Sequence, residues 1–286
     1  MCDLNTLRVD EQTFLRMLIV DTSIALRVTG IKNFAVVKAK LSKFYGDVTV
    51  VADNAERKLD ELDVAENVYV PAQPEFAKNR YNVIDAIRVT DRLTWEDGGC
   101  PWDKAQTHES IRINMIEEAY EAVDAIDKRD IPNMREEFGD VLLQSVLQSD
   151  IARRAGEFDF DDVCDELCKK LIGRHTFIFG GDSAGNADEA LNLWEKAKGV
   201  EKHYDTVKTQ LEKLPDNFPA LLYSQKTNKK LKKAGVAFDP QSALDSALKN
   251  KDYAAAIDAI TALMTEQGKD AEVELNKLVK AKIKSL

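Results

Sequence analysis

The sequence predicts a mainly α-helical fold, an antiparallel helical bundle with a small α/β unit at its N-terminal end. Three observations point there. Charged residues make up 31% and hydrophobic residues 44% of the 286, the balance of a chain with a real core. Up to about residue 75, short β-branched runs alternate with helical stretches, whereas helical spacing dominates beyond it. The later helical stretches are joined mostly by short connections, which favours antiparallel neighbours.

In residues 1–75, positions 15–20 form an apolar run, 33–45 have helical spacing, 48–52 (VTVVA) are rich in β-branched residues, and 67–70 close on Pro71. This reads as an α/β unit of three strands. It has no glycine-rich phosphate loop, so its own residues assign it no chemistry. Residues 76–204 read as a helical domain. Thr107 can cap a helix running to Lys128, and the loop Arg129-Asp130-Ile131-Pro132 breaks it. The proline falls early in the next helix, where its missing N–H is no loss. That second helix runs to Ala155 and ends at Gly156, a third spans 159–174, and a fourth covers 188–202. Residues 205–286 read as helices over 219–233, 241–247, 253–266 and from 271 onward.

Net charge is −10, so no stable nucleic-acid complex is expected, because that affinity rests on Lys and Arg neutralising phosphates. Met1-Cys2-Asp3-Leu4 lacks the basic-then-apolar order of a signal peptide. The apolar stretch 17–20 is broken by Asp21 and is too short to cross a bilayer. Cys2, Cys100, Cys164 and Cys168 form no CxxC pair, and Cys164 and Cys168 read as two half-buried thiols on a helix. A reducing, cytoplasmic location away from the membrane is expected.

The informative motif is Glu117-Glu118-x-x-Glu121 followed by Glu137-x-x-Asp140. Residues three apart share a helix face, so Glu118 pairs with Glu121 and Glu137 with Asp140. In both couples 121/137 and 118/140 the midpoint is 129, the apex of the predicted hairpin. Glu121 should therefore face Glu137, and Glu118 should face Asp140. Asn114 extends the first line, and Gln144 and Gln148 extend the second. A lone EExxE is usually a solvated face, and the symmetric second pair is what raises a shared site to equal standing. Four clustered carboxylates resist ionising together and need a cation. An all-oxygen set suits Mg²⁺, with Mn²⁺ as a substitute. A di-iron bundle would want Glu-x-x-His pairs, and neither pair has a histidine.

The chain resembles the MazG family in Cys100-Pro101-Trp102-Asp103, Gln106-Thr107-His108, Glu117-Glu118-Ala119-Tyr120-Glu121 and Glu137-Phe138-Gly139-Asp140. The same order continues in Lys170-Leu171-Ile172, Arg174-His175, Phe179-Gly180 and Trp194-Glu195. The resemblance covers about residues 90–203. It implies an all-α nucleoside triphosphate pyrophosphatase fold, a homodimer, and Mg²⁺-dependent hydrolysis of nucleoside triphosphates to monophosphate and pyrophosphate. Carried over, the metal ligands are Glu118, Glu121, Glu137 and Asp140, with Glu117 a base or outer partner. Two departures stand out: Asn114-Met115-Ile116 replaces a tyrosine- and leucine-rich stretch, and Gly173 replaces the first of two arginines. Residues after 216 resemble the family's second repeat in Phe218-Pro219-Ala220-Leu221 but lack its acidic pairs, which implies a catalytically silent repeat that packs or dimerises. Residues 1–75 resemble the C-terminal lobe of a tetrapyrrole methylase domain without the half expected to hold most of the methyl-donor site.

The resemblance assigns Glu117 or Glu118 to orienting the attacking water, and Lys170 and Arg174, one turn apart, to the outer phosphates. Lys198 is a further cation for the same task. Trp102 divides evenly between stacking on a nucleobase and anchoring the core, and Trp194 reads as core. His108 and His175 read as capping or hydrogen-bonding residues and His203 as incidental. The lysines at 229, 230, 232 and 233 read as a solvated face. The alternative is a catalytically weak nucleotide-binding or scaffolding module, which would keep the acids without turnover.

Overall fold

The computed structural model describes residues 5–202 and 206–286, so Cys2 and His203 lie outside the described residues. The fold is mainly helical with one small sheet near the N-terminus, as expected. It divides into two compact units, one ending at Leu167 and the other starting at Cys168.

The first unit opens with a five-stranded sheet, β1 (Thr6–Asp10), β2 (Ala25–Thr29), β3 (Thr49–Ala52), β4 (Ala55–Lys58) and β5 (Val68–Val70), in the order β1-β2-β5-β3-β4. Only β1 and β2 run parallel, joined through α1 (Glu11–Arg16). Of the three expected runs only 48–52 and 67–70 are strands, β3 and β5, so β1, β2 and β4 go beyond what the β-branched runs announce. The apolar run 15–20 is no strand. Asp10 accepts from the Thr13 amide and starts a helix there, and past Arg16 the run is irregular, with Val20 buried and Leu18 exposed. The β3–β4 turn is Asp53-Asn54, both with positive φ, as a two-residue hairpin turn requires. Asp53 also accepts from the amides of Glu66 and Asn67, which ties the turn to the start of β5. The helix α2 (Phe34–Tyr45) lays Phe34, Val37, Leu41 and Tyr45 into the core with Phe14, Leu26, Val28, Val50 and Val68.

A buried polar knot fastens this sheet layer to the helices. Lys78 Nζ lies 2.6 Å from Asp85 and donates to Ser23 Oγ at 2.7 Å, with the Lys78 and Asp85 side chains closed to solvent. Asp85 belongs to α3 (Val83–Leu93), whose N-terminus is a capping box with Asn82. Arg88 of the same helix makes two bonds to Asp21, whose carboxyl it holds down at about 2.

Next come the short helices α4 (Pro101–Lys104) and α5 (His108–Ile111), then α6 (Asn114–Lys128) and α7 (Ile131–Ala155). The helix predicted from Thr107 is thus broken at Arg112-Ile113, and Thr107 caps only its first turn through a capping box with Ser110. α6 and α7 form an antiparallel hairpin, the most extensive helix pairing in this unit. Arg129 closes α6 in the left-handed region at φ 56°, and Asp130 caps α7 by accepting from Asn133 N. α3 lies against α7, with Arg153 bridging Asp91 and Asp150, and Ile111, Leu147 and Ile151 form a small second core.

The chain leaves the first unit within α8 (Phe160–Arg174) and continues through α9 (Thr176–Phe179), α10 (Ala187–Glu201), α11 (Val207–Glu212), α12 (Ala220–Lys233), α13 (Pro240–Lys249), α14 (Tyr253–Glu266) and α15 (Ala271–Lys284). α14 packs on both α12 and α13, and a polar seam joins the buried Asn228 and Thr261 to the half-buried Ser224 and the exposed Asp258.

Removing one member of a buried ion pair strands the other, at a cost of about 3–5 kcal/mol. Lys78→Met, which keeps the volume but leaves the buried Asp85 carboxylate without its cation, is expected to lower stability by about that amount. Urea unfolding of the two proteins at neutral pH checks this, and equal midpoints would contradict it.

Candidate active site

The hairpin turn sets the geometry. With the apex at Arg129-Asp130, α6 and α7 return along each other so that residues equidistant from the turn meet. Glu118, Glu137 and Asp140 converge across the seam, each offering a carboxylate oxygen within 4.8 Å of the others. Glu137 is buried, while Glu118 and Asp140 are half-buried. Glu121, the fourth predicted ligand, is exposed and outside that three-way set, although it is close enough to act on Glu137 electrostatically. Glu117 is exposed beside Glu118.

The electrostatics follow from this crowding. Burial first, then Asp140, Glu121 and Glu117, push the Glu118 carboxyl above the usual carboxylate range. Burial, then Glu121 and Asp140, do the same to Glu137. The largest neighbouring charge on Glu118 is thus Asp140 and that on Glu137 is Glu121, the two pairings that the shared midpoint predicts. The like-charge part of this crowding, unlike the burial part, is what a cation would relieve. All-oxygen donors at this spacing fit Mg²⁺ or Mn²⁺.

One turn farther from the apex stands Gln144. It is buried, and its side-chain oxygen accepts no hydrogen bond, a loss of about 1–3 kcal/mol for a buried acceptor. Gln148, the next polar residue on that face, is by contrast engaged by His108 through both the ring and the main-chain carbonyl. His108 therefore does the hydrogen-bonding task expected of it.

The remaining candidates have these settings. Trp102 is exposed, at 60%, so it does not anchor a core. In the second unit, Lys170 is exposed on α8. Arg174, one turn on, is 5% exposed and makes a two-bond ion pair with Glu201, at 2.7 and 2.9 Å. That pairing holds the Glu201 carboxyl down at about 2. Trp194 is half-buried and carries two cations, with Arg174 5.1 Å and Lys198 4.9 Å from its ring centre. Glu201 was not singled out from the sequence. The available signal is its spacing of seven from Trp194, which puts both on one face of α10.

Residues 106–179 match the model of the MazG nucleotide pyrophosphohydrolase domain. Over this stretch the chain is similar to the MazG family. Both acidic pairs of the hairpin fall inside the matched stretch, as do Lys170 and Arg174, while Trp102 and Lys198 flank it. A nucleoside triphosphate pyrophosphohydrolase of Escherichia coli K12 is 39% identical over 159 residues, 55% of this chain and 60% of its own length. A nucleoside triphosphate pyrophosphohydrolase/pyrophosphatase MazG of Thermotoga maritima is 43% identical over 118 residues, 41% of this chain and 44% of its own. A nucleoside triphosphate pyrophosphohydrolase of Mycobacterium tuberculosis is 34% identical over 185 residues, 64% of this chain and 54% of its own. In each case the match spans less than two thirds of the relative. A solved MazG-related protein of Thermotoga maritima overlaps with a TM-score of 0.36 at 24% identity, over 41% of this chain and 98% of that one, too loosely to carry an argument.

The raised carboxyl of Glu137 has a consequence for the hairpin in the absence of metal. A carboxyl that binds its proton more tightly when folded favours the fold at low pH, and that advantage is lost as pH rises from the ordinary glutamate value of 4.5 through the raised one. Glu137→Gln removes the effect. In EDTA the variant should match the wild type near pH 4 and melt at a higher temperature near pH 7. Thermal melts across that range check it, and a variant less stable than wild type at pH 7 would contradict it.

Proposed function

We propose that the chain is a cytoplasmic, Mg²⁺-dependent nucleoside triphosphate pyrophosphohydrolase that yields nucleoside monophosphate and pyrophosphate. The observation that carries this reading is the convergence of Glu118, Glu137 and Asp140 within 4.8 Å, inside the stretch that matches the MazG domain. The names of the relatives support a nucleoside triphosphate as substrate. No described helix is long and apolar enough to cross a membrane.

Glu118, Glu137 and Asp140 would hold the cation, with Glu121 joining them by a change of side-chain rotamer. Bound there, Mg²⁺ or Mn²⁺ would neutralise charge on the substrate's phosphates and acidify a water. The reaction adds the oxygen of a water to the α-phosphorus. The bond from this phosphorus to the bridging oxygen breaks, and pyrophosphate leaves with that oxygen and the bonding pair. Glu117 or Glu118 would orient the water and take up its proton. Lys170, Arg174 and Lys198 are assigned to phosphate by the family resemblance. Arg174 would exchange the Glu201 carboxylate for phosphate oxygens, which its planar fork accommodates equally. Trp102 offers its exposed ring to a nucleobase.

A homodimer belongs to the same proposal. Ile116, Tyr120 and Val123 share one face of α6, each about half exposed, and Phe138, Val141 and Leu142 leave a second exposed stripe on α7. A two-helix hairpin apolar on its outside is completed by a second copy. Sedimentation should give twice 32.1 kDa for the wild type and the monomer mass for Ile116→Glu/Tyr120→Glu. A monomeric wild type would overturn the dimer.

Pyrophosphate release from a panel of nucleoside triphosphates tests the activity. It should require Mg²⁺ and fall more than about 100-fold in Glu118→Gln, since even partners of metal ligands cost 10–100-fold. Nucleotide binding without release from any triphosphate would instead support the binding or scaffolding module.

A further inference from the structure

We infer that Gln144 is a positioning residue of the carboxylate site, whose side-chain amide holds a water that bridges it to the acids. The inference rests on the reading of Glu118, Glu137 and Asp140 as a cation site. Three observations lead to it. Residues 137, 140 and 144 follow one another at spacings of three and four, so Gln144 continues the inward face of α7 that bears two of the converging acids. A helical side chain leans toward the N-terminus and covers the preceding turn, which carries the Gln144 amide back toward Asp140. The amide is also unsatisfied. Gln144 is 7% exposed, and its oxygen has no hydrogen-bond partner, whereas Gln148, one turn on, is engaged by His108.

A buried amide left dry is disfavoured unless something completes it when the protein works. The chemistry of the surroundings narrows what that is. Asn114 stands at the same distance from the turn on α6, since 114 and 144 share the midpoint 129 of the acidic pairs. A neutral amide fits a neutral donor and acceptor rather than a phosphate, and at 7% exposure there is room for something small. Water meets each condition. It would donate to the Gln144 oxygen and to a carboxylate, and so fix the orientation of that carboxylate toward the cation.

The test uses the full chain with Gln144→Leu and Gln144→Met, which keep the volume and remove the amide. Melting temperatures are measured in EDTA and across a Mg²⁺ titration, and pyrophosphate release is measured at saturating Mg²⁺. Both variants should be at least as stable as the wild type in EDTA, because an unpaired polar group has been removed. Their Mg²⁺ midpoint should rise about tenfold or more and kcat should fall by a similar factor, with KM for the nucleotide little changed. A variant with the wild-type Mg²⁺ midpoint and kcat overturns the inference. So does a loss of stability in EDTA in both variants, the mark of an amide with a partner in the fold. If the wild type itself shows neither a Mg²⁺ response nor release, the cation-site reading falls, and the inference falls with it.

Discussion

The register of the α6–α7 hairpin is the constraint on which the rest of the site depends. A turn of two residues, with Arg129 left-handed and Asp130 capping the next helix, leaves no slack between the helices. Sliding one helix by a single residue would rotate its acids about 100° off the seam. The turn therefore does more for the site than any one carboxylate. It converts two ordinary i,i+3 acidic pairs into a three-sided cage, and it sets the amides Asn114 and Gln144 level with each other one turn beyond.

That arrangement crowds like charge at the seam. Glu118 and Glu137 are both pushed toward protonation by burial and by like charge, and no lysine or arginine is among the groups that perturb them. Four basic side chains of this unit, Arg88, Lys78, Arg153 and Arg154, pair elsewhere, with Asp21, Asp85, Asp91 and Asp150. The Lys78–Asp85 knot and the Arg153 bridge secure α3 between the sheet and α7, so the hairpin is braced by ion pairs remote from the acids. The bracing of the scaffold and the crowding of the acids are thus separate.

Much of this was legible in the sequence, for physical reasons. The proline after Asp130 and the glycine at 156 fixed the ends of α7, and the common midpoint at 129 gave the pairing of acids across the seam. What was not legible came from tertiary context. The strands β1, β2 and β4 are short and part-polar and exist because they pair with one another or with β3 and β5. The break at Arg112-Ile113 carries no glycine or proline to announce it. Placing Glu121 outside the three-way set depends on side-chain direction, which an i,i+3 spacing does not encode. The Arg174–Glu201 pair joins residues 27 apart on two helices, beyond any local pattern.

The central claim is that Glu118, Glu137 and Asp140 form one cation site. Electron paramagnetic resonance of Mn²⁺ titrated into the protein tests it most directly, because bound Mn²⁺ loses the free-ion signal. Wild-type protein should take up Mn²⁺ and release it to excess Mg²⁺, and Asp140→Asn should bind at least about tenfold more weakly, as loss of a ligand costs no less than loss of its partner. Equal Mn²⁺ uptake by the wild type and Asp140→Asn would contradict the account.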